Sequence, residues 1–288
     1  MKKIVFSFLY NTLLTKNVIL PFKKGIRYIF LFHDVSDPLN LHHNQVYSTD
    51  LEIFKDNIEW IQNHFKIVDL DRLTDKLYHD ENNSNLASVV FDDGFYSVLE
   101  HAFPYLNKKE IPFAIFANKT AMQQNWLWCS NLIMAKKRNN NKYLKKIFES
   151  IVDNDKLSYE RFIYDPITFI CESKMHDDDY EVFREPEYED GKVYLDEKDI
   201  KFLVSEGVII GNHTKTHKHL STCSDETIRQ EIIDNKEYLK NLLGSEIKHF
   251  AIPFGFHTTY NDYAIKIAYE AHSFVYDTTR NYVKFSNQ

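Results

Sequence analysis

The chain has 288 residues, 43% hydrophobic and 27% charged, with a net charge of −7. That length suits one large globular domain or an α/β barrel, and the acidic balance argues against a nucleic-acid surface, which needs clustered lysines and arginines. The three cysteines, Cys129, Cys171 and Cys223, are odd in number and widely spaced, which argues against a disulfide framework and against a cysteine-based zinc site.

Residues 1–25 read as a first, partly amphipathic helix. Their apolar stretch falls short of the about 20 residues that span a bilayer, and no small-residue cleavage site follows it. Packing on the domain and peripheral membrane contact through Lys16, Lys23, Lys24 and Arg27 both stay open. The continuous apolar run 26–32 then predicts a buried strand that ends at His33-Asp34. Thr49 or Asp50 caps a helix with Ile53, Phe54, Ile58, Trp60 and Ile61 at helical spacing. A short strand at 65–70 leads into another helix, and 80–85 is a polar loop. The strand 87–91 runs into Asp92, Asp93 and Gly94. A helix over 95–106 and a strand over 111–117 continue the alternation, which predicts a parallel sheet or barrel with helices outside.

The segment at about 119–192 breaks the rhythm with a basic, Asn-rich patch and a later acidic run. It reads as a partly helical cap inserted into the main domain. Regular alternation resumes with a helix over 196–206, with Gly207 past its end, and a strand over 208–210 that leads into His213-Thr214-Lys215-Thr216-His217. Ser224 starts a helix running to 243 and closed by Gly244. A strand at 249–252 ends in Pro253-Phe254-Gly255, and a helix (261–271) and a strand (273–276) follow.

The polar groups of interest sit just past strand-like runs: His33, the Asp92-Asp93 pair, His213 and Phe254. Sites assemble at the C-terminal ends of strands in parallel α/β architectures. One carboxylate with two histidines makes a facial metal triad, and a second carboxylate beside it suits a base, so the pattern points to a metal-dependent hydrolase. Adjacent aspartates normally point to opposite faces of a strand, but a turn through Gly94 lets both reach one cavity. His219 makes the histidine segment richer than a pair.

Three motifs, in order, carry a resemblance. Val90-Phe91-Asp92-Asp93-Gly94, Gly211-Asn212-His213-Thr214-Lys215-Thr216-His217 and Ala251-Ile252-Pro253-Phe254-Gly255 resemble those of the polysaccharide deacetylases with a nodulation-protein-B-like domain (carbohydrate esterase family 4), over residues 28–280. The resemblance implies a distorted (β/α) barrel with about seven parallel strands, residues 26–288 forming the catalytic domain. It implies that Asp92 is the general base and that Asp93, His213 and His217 hold a divalent metal, usually zinc, with Co2+, Ni2+, Mn2+ or Fe2+ as other occupants. Phe254, after Pro253, would supply a backbone N–H to the oxyanion. The late Leu-x-His motif of many members is missing. Phe32-His33-Asp34-Val35 resembles the N-terminal element of a rearranged branch, which makes His33 the general acid. Where many members have an arginine that holds the catalytic aspartate, this chain has Ala251, so Asp92 needs another partner, with Arg280 a candidate. His257, Trp126 and Trp128 are candidates to line the sugar site; a solvated loop position for His257 and core packing of the cap for the two tryptophans are the alternatives.

The expected activity is removal of an acetyl group from an N-acetylated sugar of a cell-surface polysaccharide or its glycolipid precursor. An O-deacetylase, a non-sugar amidase and a catalytically weak glycan-binding module are the competing readings. The cytoplasm or its membrane face is favoured, with export open, and oligomeric state is undetermined.

Overall fold

The computed structural model describes residues 4–6, 27–37, 47–75, 85–123, 125–151, 156–173, 180, 182–183 and 191–278. In chain order the strands are β1 (Ile4–Phe6), β2 (Arg27–Phe32), β3 (Asp34–Ser36), β4 (Ser48–Asp50), β5 (Lys66–Ile67), β6 (Leu86–Phe91), β7 (Phe113–Ala117), β8 (Ile209–Asn212), β9 (His249–Ala251) and β10 (Phe274–Tyr276). The main sheet has the order β1-β2-β6-β7-β8-β9-β10, with β5 added on β6, and every pairing in it is parallel. It curls into an incomplete barrel, the architecture expected from the alternation of strands and helices.

The two faces of the sheet follow the period of two. Tyr28, Phe30, Phe32, Val89, Phe91, Phe113 and Ile115 belong to one cluster, on the face that the helices cover. Ile29, Val90, Ala114, Phe116, Ala251 and Tyr276 form another, on the concave inner face. Both faces are buried, which is why the strands read as continuous apolar runs. Each large apolar side chain buried this way contributes roughly 1.5–3 kcal/mol.

Capping residues fix where the helices begin. The Asp50 carboxylate accepts from the N–H groups of Glu52 and Ile53 at the start of α1 (Leu51–His64). Asp69 does the same for the short α2 (Leu70–Thr74), accepting from Arg72 N–H. The expected helix after Gly94 is present, beginning as a π-helical turn over Val98–Ala102 that runs into α3 (Phe103–Lys108). Pro104 has no N–H to donate. The described residues between β7 and β8 include six helices: α4 (Lys119–Met122), α5 (Trp128–Lys137), α6 (Asn141–Ile151), α7 (Lys156–Tyr164), α8 (Pro166–Glu172) and α9 (Glu197–Ser205), the last opened by an Asp196/Asp199 capping box. Ser224 caps α10 (Asp225–Leu243), which stops at Gly244, and Asn261 caps α11 (Asp262–Ala271).

Helix α2 plugs the barrel at the N-terminal ends of the strands. Leu70 and Leu73 enter the inner cluster. Arg27, the first residue of β2, donates to the carbonyls of Leu73 and Asp75. His249, the first residue of β9, sits between Asp71 (3.1 Å) and the Tyr276 hydroxyl (2.6 Å). Burial holds both His249 and the Tyr276 phenol in their neutral forms. The phenol therefore donates to Nδ1, and the Nε2–H donates to Asp71. The carboxylate is held down to about 2, chiefly by that hydrogen bond.

One expectation fails here. Ile4–Phe6 is not helical but an outer strand beside β2, because the β-branched Ile4 and Val5 suit an extended edge better than a helix. The remainder of 1–25 lies outside the described residues. None of the described helices is long and apolar enough to cross a membrane.

Candidate active site

The Asp92 N–H still bonds to the Phe32 carbonyl, 3.0 Å away, so Asp92 continues the strand ladder past Phe91. It therefore follows Val90 on the inner face. Asp93 then adopts φ 67°, followed by Gly94 at φ 69°. This left-handed turn cancels the alternation that would have sent the second carboxylate outward.

The histidines come from the loop after β8. Its Gly211 lies against the Phe116 ring, which leaves no room for a Cβ. The His213 Nδ1 lies 2.9 Å from the Ala251 carbonyl, and a carbonyl only accepts. Nδ1 therefore carries the proton, and the Nε2 lone pair faces Asp93 Oδ1 at 3.5 Å. Thr214 at φ 66° and His217 at φ 61° turn the chain so that His217 Nε2 comes within 3.2 Å of the same oxygen. Asp93, His213 and His217 offer three ligand atoms all within 4.8 Å of one another, every residue buried. Asp92 Oδ2 stands 3.8 Å from His213 Nε2.

The electrostatics are those of a site built for a cation. Burial raises the Asp92 carboxyl well above its usual range, with Asp93 adding repulsion, and raises Asp93 to about 7. Burial likewise lowers His213 to about 3 and pushes His217 down. Oδ1 of each aspartate is buried without a hydrogen-bond partner, and among the described residues no lysine or arginine pairs with either. Buried carboxylates are costly without a counter-charge. Two neutral imidazoles and a carboxylate converging on one point are the donor set that a divalent ion takes, so these residues fit a metal.

Comparison with known proteins gives the family. A family model described as polysaccharide deacetylase matches residues 79–273, more than half of the chain. The chain belongs to the polysaccharide deacetylase family. A peptidoglycan-N-acetylglucosamine deacetylase from Bacillus cereus is 36% identical over 56 residues, 19% of this chain and 20% of that protein. The match thus spans about a fifth of that relative's length. Among solved structures, IcaB from Ammonifex degensii superposes with a TM-score of 0.57 at 17% identity, covering 87% of this chain and 83% of that one. The Streptococcus pyogenes deacetylase PplD, solved in complex with acetate, gives 0.54 at 14% identity, covering 85% and 79%. These likenesses establish the barrel.

The other candidates of this family member fall in different places. His33 follows β2 at the same end of the sheet, half-buried, and in its protonated form it disfavours charge on both His213 and His217. Burial lowers it to about 4, with Asp34 pulling upward. Phe254, at φ 61°, puts its ring 4.6 Å from that of His217. Pro253 is buried beneath it. Gly255, at φ 67°, lies so close to the Thr278 backbone that only glycine fits. His219 is buried but stays outside the triad, its Nδ1 2.9 Å from the Ser221 hydroxyl. His257 is exposed, Trp126 is half-buried against the core, and Arg280 lies outside the described residues. Trp128 does not offer a face to a sugar. It is 5% exposed, enclosed by the rings of Tyr180, Phe183 and Phe254.

Two groups of residues escaped the sequence reading. Tyr47 stacks on Phe95, and Phe95 on Tyr194; both tyrosine hydroxyls meet Ser130, and both feel the charge of Asp93. Beneath the histidine loop lies a buried amide network. Asn235 donates to the Ala117 carbonyl and to Asn212 Oδ1, and Asn212 donates to the Ile232 carbonyl. Glu231 accepts from the N–H and hydroxyl of Thr216. The only sequence signal was the presence of Asn235 and Glu231 on the otherwise apolar face of α10, where a polar residue needs a partner.

Proposed function

We propose that this protein is a metal-dependent deacetylase that removes the acetyl group from an N-acetylated sugar of a cell-surface polysaccharide or its precursor. The observation that carries this reading is the buried Asp93–His213–His217 cluster with a second carboxylate, Asp92, beside it. Family membership and the sugar deacetylases among its relatives support it.

A divalent ion held by Asp93 Oδ1, His213 Nε2 and His217 Nε2 would supply Lewis acidity toward the acyl carbonyl and the attacking water. The rest falls to the chain. Asp92, adjacent but outside the ligand set, takes the proton of the attacking water; its apolar surroundings raise its basicity. The Phe254 backbone N–H donates to the carbonyl oxygen as negative charge grows there. His33 is the proposed donor to the departing nitrogen: burial leaves it neutral at rest, so it passes on the proton that Asp92 has taken from the water, and the C–N bond breaks to give acetic acid and the free amine. Burial of the whole cluster excludes bulk water, which strengthens each of these interactions.

The test is Asp92→Asn assayed for acetate release from N-acetylglucosamine oligomers with Zn2+ supplied. Zinc binding should persist while acetate release drops by about a thousandfold or more. Unchanged acetate release would discard the role of Asp92. Tight glycan binding by the wild-type protein, with no acetate released from any acetylated substrate, would favour the binding-module reading instead.

A further inference from the structure

We infer that Trp128, contributed by the helical stretch between β7 and β8, is a positioning residue for the metal ligand His217. The inference rests on the metal-site reading above and adds to it a residue that touches neither metal nor substrate.

The argument begins with the loop's backbone. A short loop that passes through two left-handed non-glycine residues, Thr214 and His217, is strained. It keeps that shape only if surrounding groups over-determine it. The donors that do so come from one side. Asn118 Nδ2 bonds to the carbonyls of His213 and, at 3.0 Å, Thr214. The Thr120 N–H bonds to the Lys215 carbonyl at 3.0 Å. Trp128 Nε1 bonds to the His217 carbonyl at 2.8 Å, fully buried. The chain leaving β7 thus takes up the loop carbonyls in sequence, and Trp128 is the last clamp, on the residue whose imidazole completes the triad.

Trp128 acts on the same residue by a second route. Its ring lies 5.8 Å from that of Phe254, and Phe254 lies edge-on to His217 at 4.6 Å. Indole, phenyl and imidazole therefore pack in one continuous row, whose far end sets His217 Nε2 at 3.2 Å from Asp93. Tyr180, also against the indole, accepts the His219 N–H at 2.9 Å and holds the loop just beyond. Without the indole N–H, the His217 carbonyl is left buried and unbonded. The peptide must rotate to find a partner, and the imidazole turns with it.

Trp128→Phe removes the N–H and keeps an aromatic ring, which makes it the decisive variant. Phe183→Leu serves as its partner, since Phe183 packs on the indole at 5.3 Å but bonds to no part of the loop through its side chain. Co2+ is titrated into the metal-free proteins and its visible absorption recorded, with Zn2+ affinity measured by chelator competition. Trp128→Phe should weaken Zn2+ binding about ten- to a hundredfold, the usual scale for a group that orients a ligand. It should also change the Co2+ spectrum. Phe183→Leu should lower the melting temperature and leave affinity and spectrum alone. Wild-type affinity and spectrum in Trp128→Phe would overturn the inference while the metal site stands. Failure of the wild-type protein to bind Co2+ or Zn2+ would overturn both.

Discussion

At the N-terminal ends of the strands, His249 Nε2 lies 3.1 Å from Asp71; at the C-terminal ends, His217 Nε2 lies 3.2 Å from Asp93. The residue types and the spacing match, yet the surroundings differ. His249 has Tyr276 on its other nitrogen, and Asp71, 48% exposed, also meets Lys248. His217 Nδ1 and Asp93 Oδ1 are buried with no hydrogen-bond partner, and both residues have left-handed backbones. One end of the barrel satisfies its polar groups and so contributes stability. The other keeps them open for a ligand, at a cost in the metal-free state.

Exchanging charge for amide at the two ends should therefore have opposite effects. The largest is expected at Asp93→Asn: acetate release falls by about a thousandfold or more, since a charged ligand is lost. The metal-free variant should nonetheless melt about 2–4 °C higher, because roughly 1 kcal/mol of buried repulsion disappears. Differential scanning fluorimetry in chelator reads this directly, and a lower melting temperature would break the contrast. At the opposite end, Arg27→Leu strips the α2 carbonyls of a buried donor and should cost about 2–3 kcal/mol in urea unfolding. Acetate release per folded molecule should stay at the wild-type level; a loss there would show that the plug reaches the site.

The smallest effect is expected at Asp71→Asn, and its size depends on pH. Asp71 is held down to about 2 by His249. A depressed carboxylate contributes stability that is fully present above its ordinary value near 4 and is lost as pH falls through about 2. Solvent screening of this half-exposed group leaves about 1 kcal/mol or less. The variant and wild type should thus differ in urea midpoint at pH 7 and converge near pH 2.

Much of this was legible along the chain. Runs such as Val89–Val90–Phe91, leading into a turn, read as strands buried on both faces, and Asp50 and Ser224 by their side-chain acceptors and Gly244 by its left-handed backbone mark helix ends. The three motifs placed Asp92, Asp93, His213 and His217 before any coordinates. The plug was not legible, because Asp71 and His249 are 178 residues apart and each alone looks like a solvated polar residue. Trp128 stayed ambiguous for a different reason: an indole has a flat face and an N–H, and the sequence does not say which one is used. The small parallel pair β3–β4 joins two short polar segments, where no apolar period exists to detect.

The clamp on the histidine loop also orders events during folding. Asn118 reaches His213 across 95 residues, and Trp128 reaches His217 across 89. Chain entropy makes such distant closures slow. During synthesis Asp92 and Asp93 emerge long before their partners, so the ligand set cannot close until β8 has docked beside β7. A metal ion that arrives early meets only a solvated carboxylate pair, and one that arrives late meets a finished cage. Metal capture should accordingly trail the last folding phase rather than lead it.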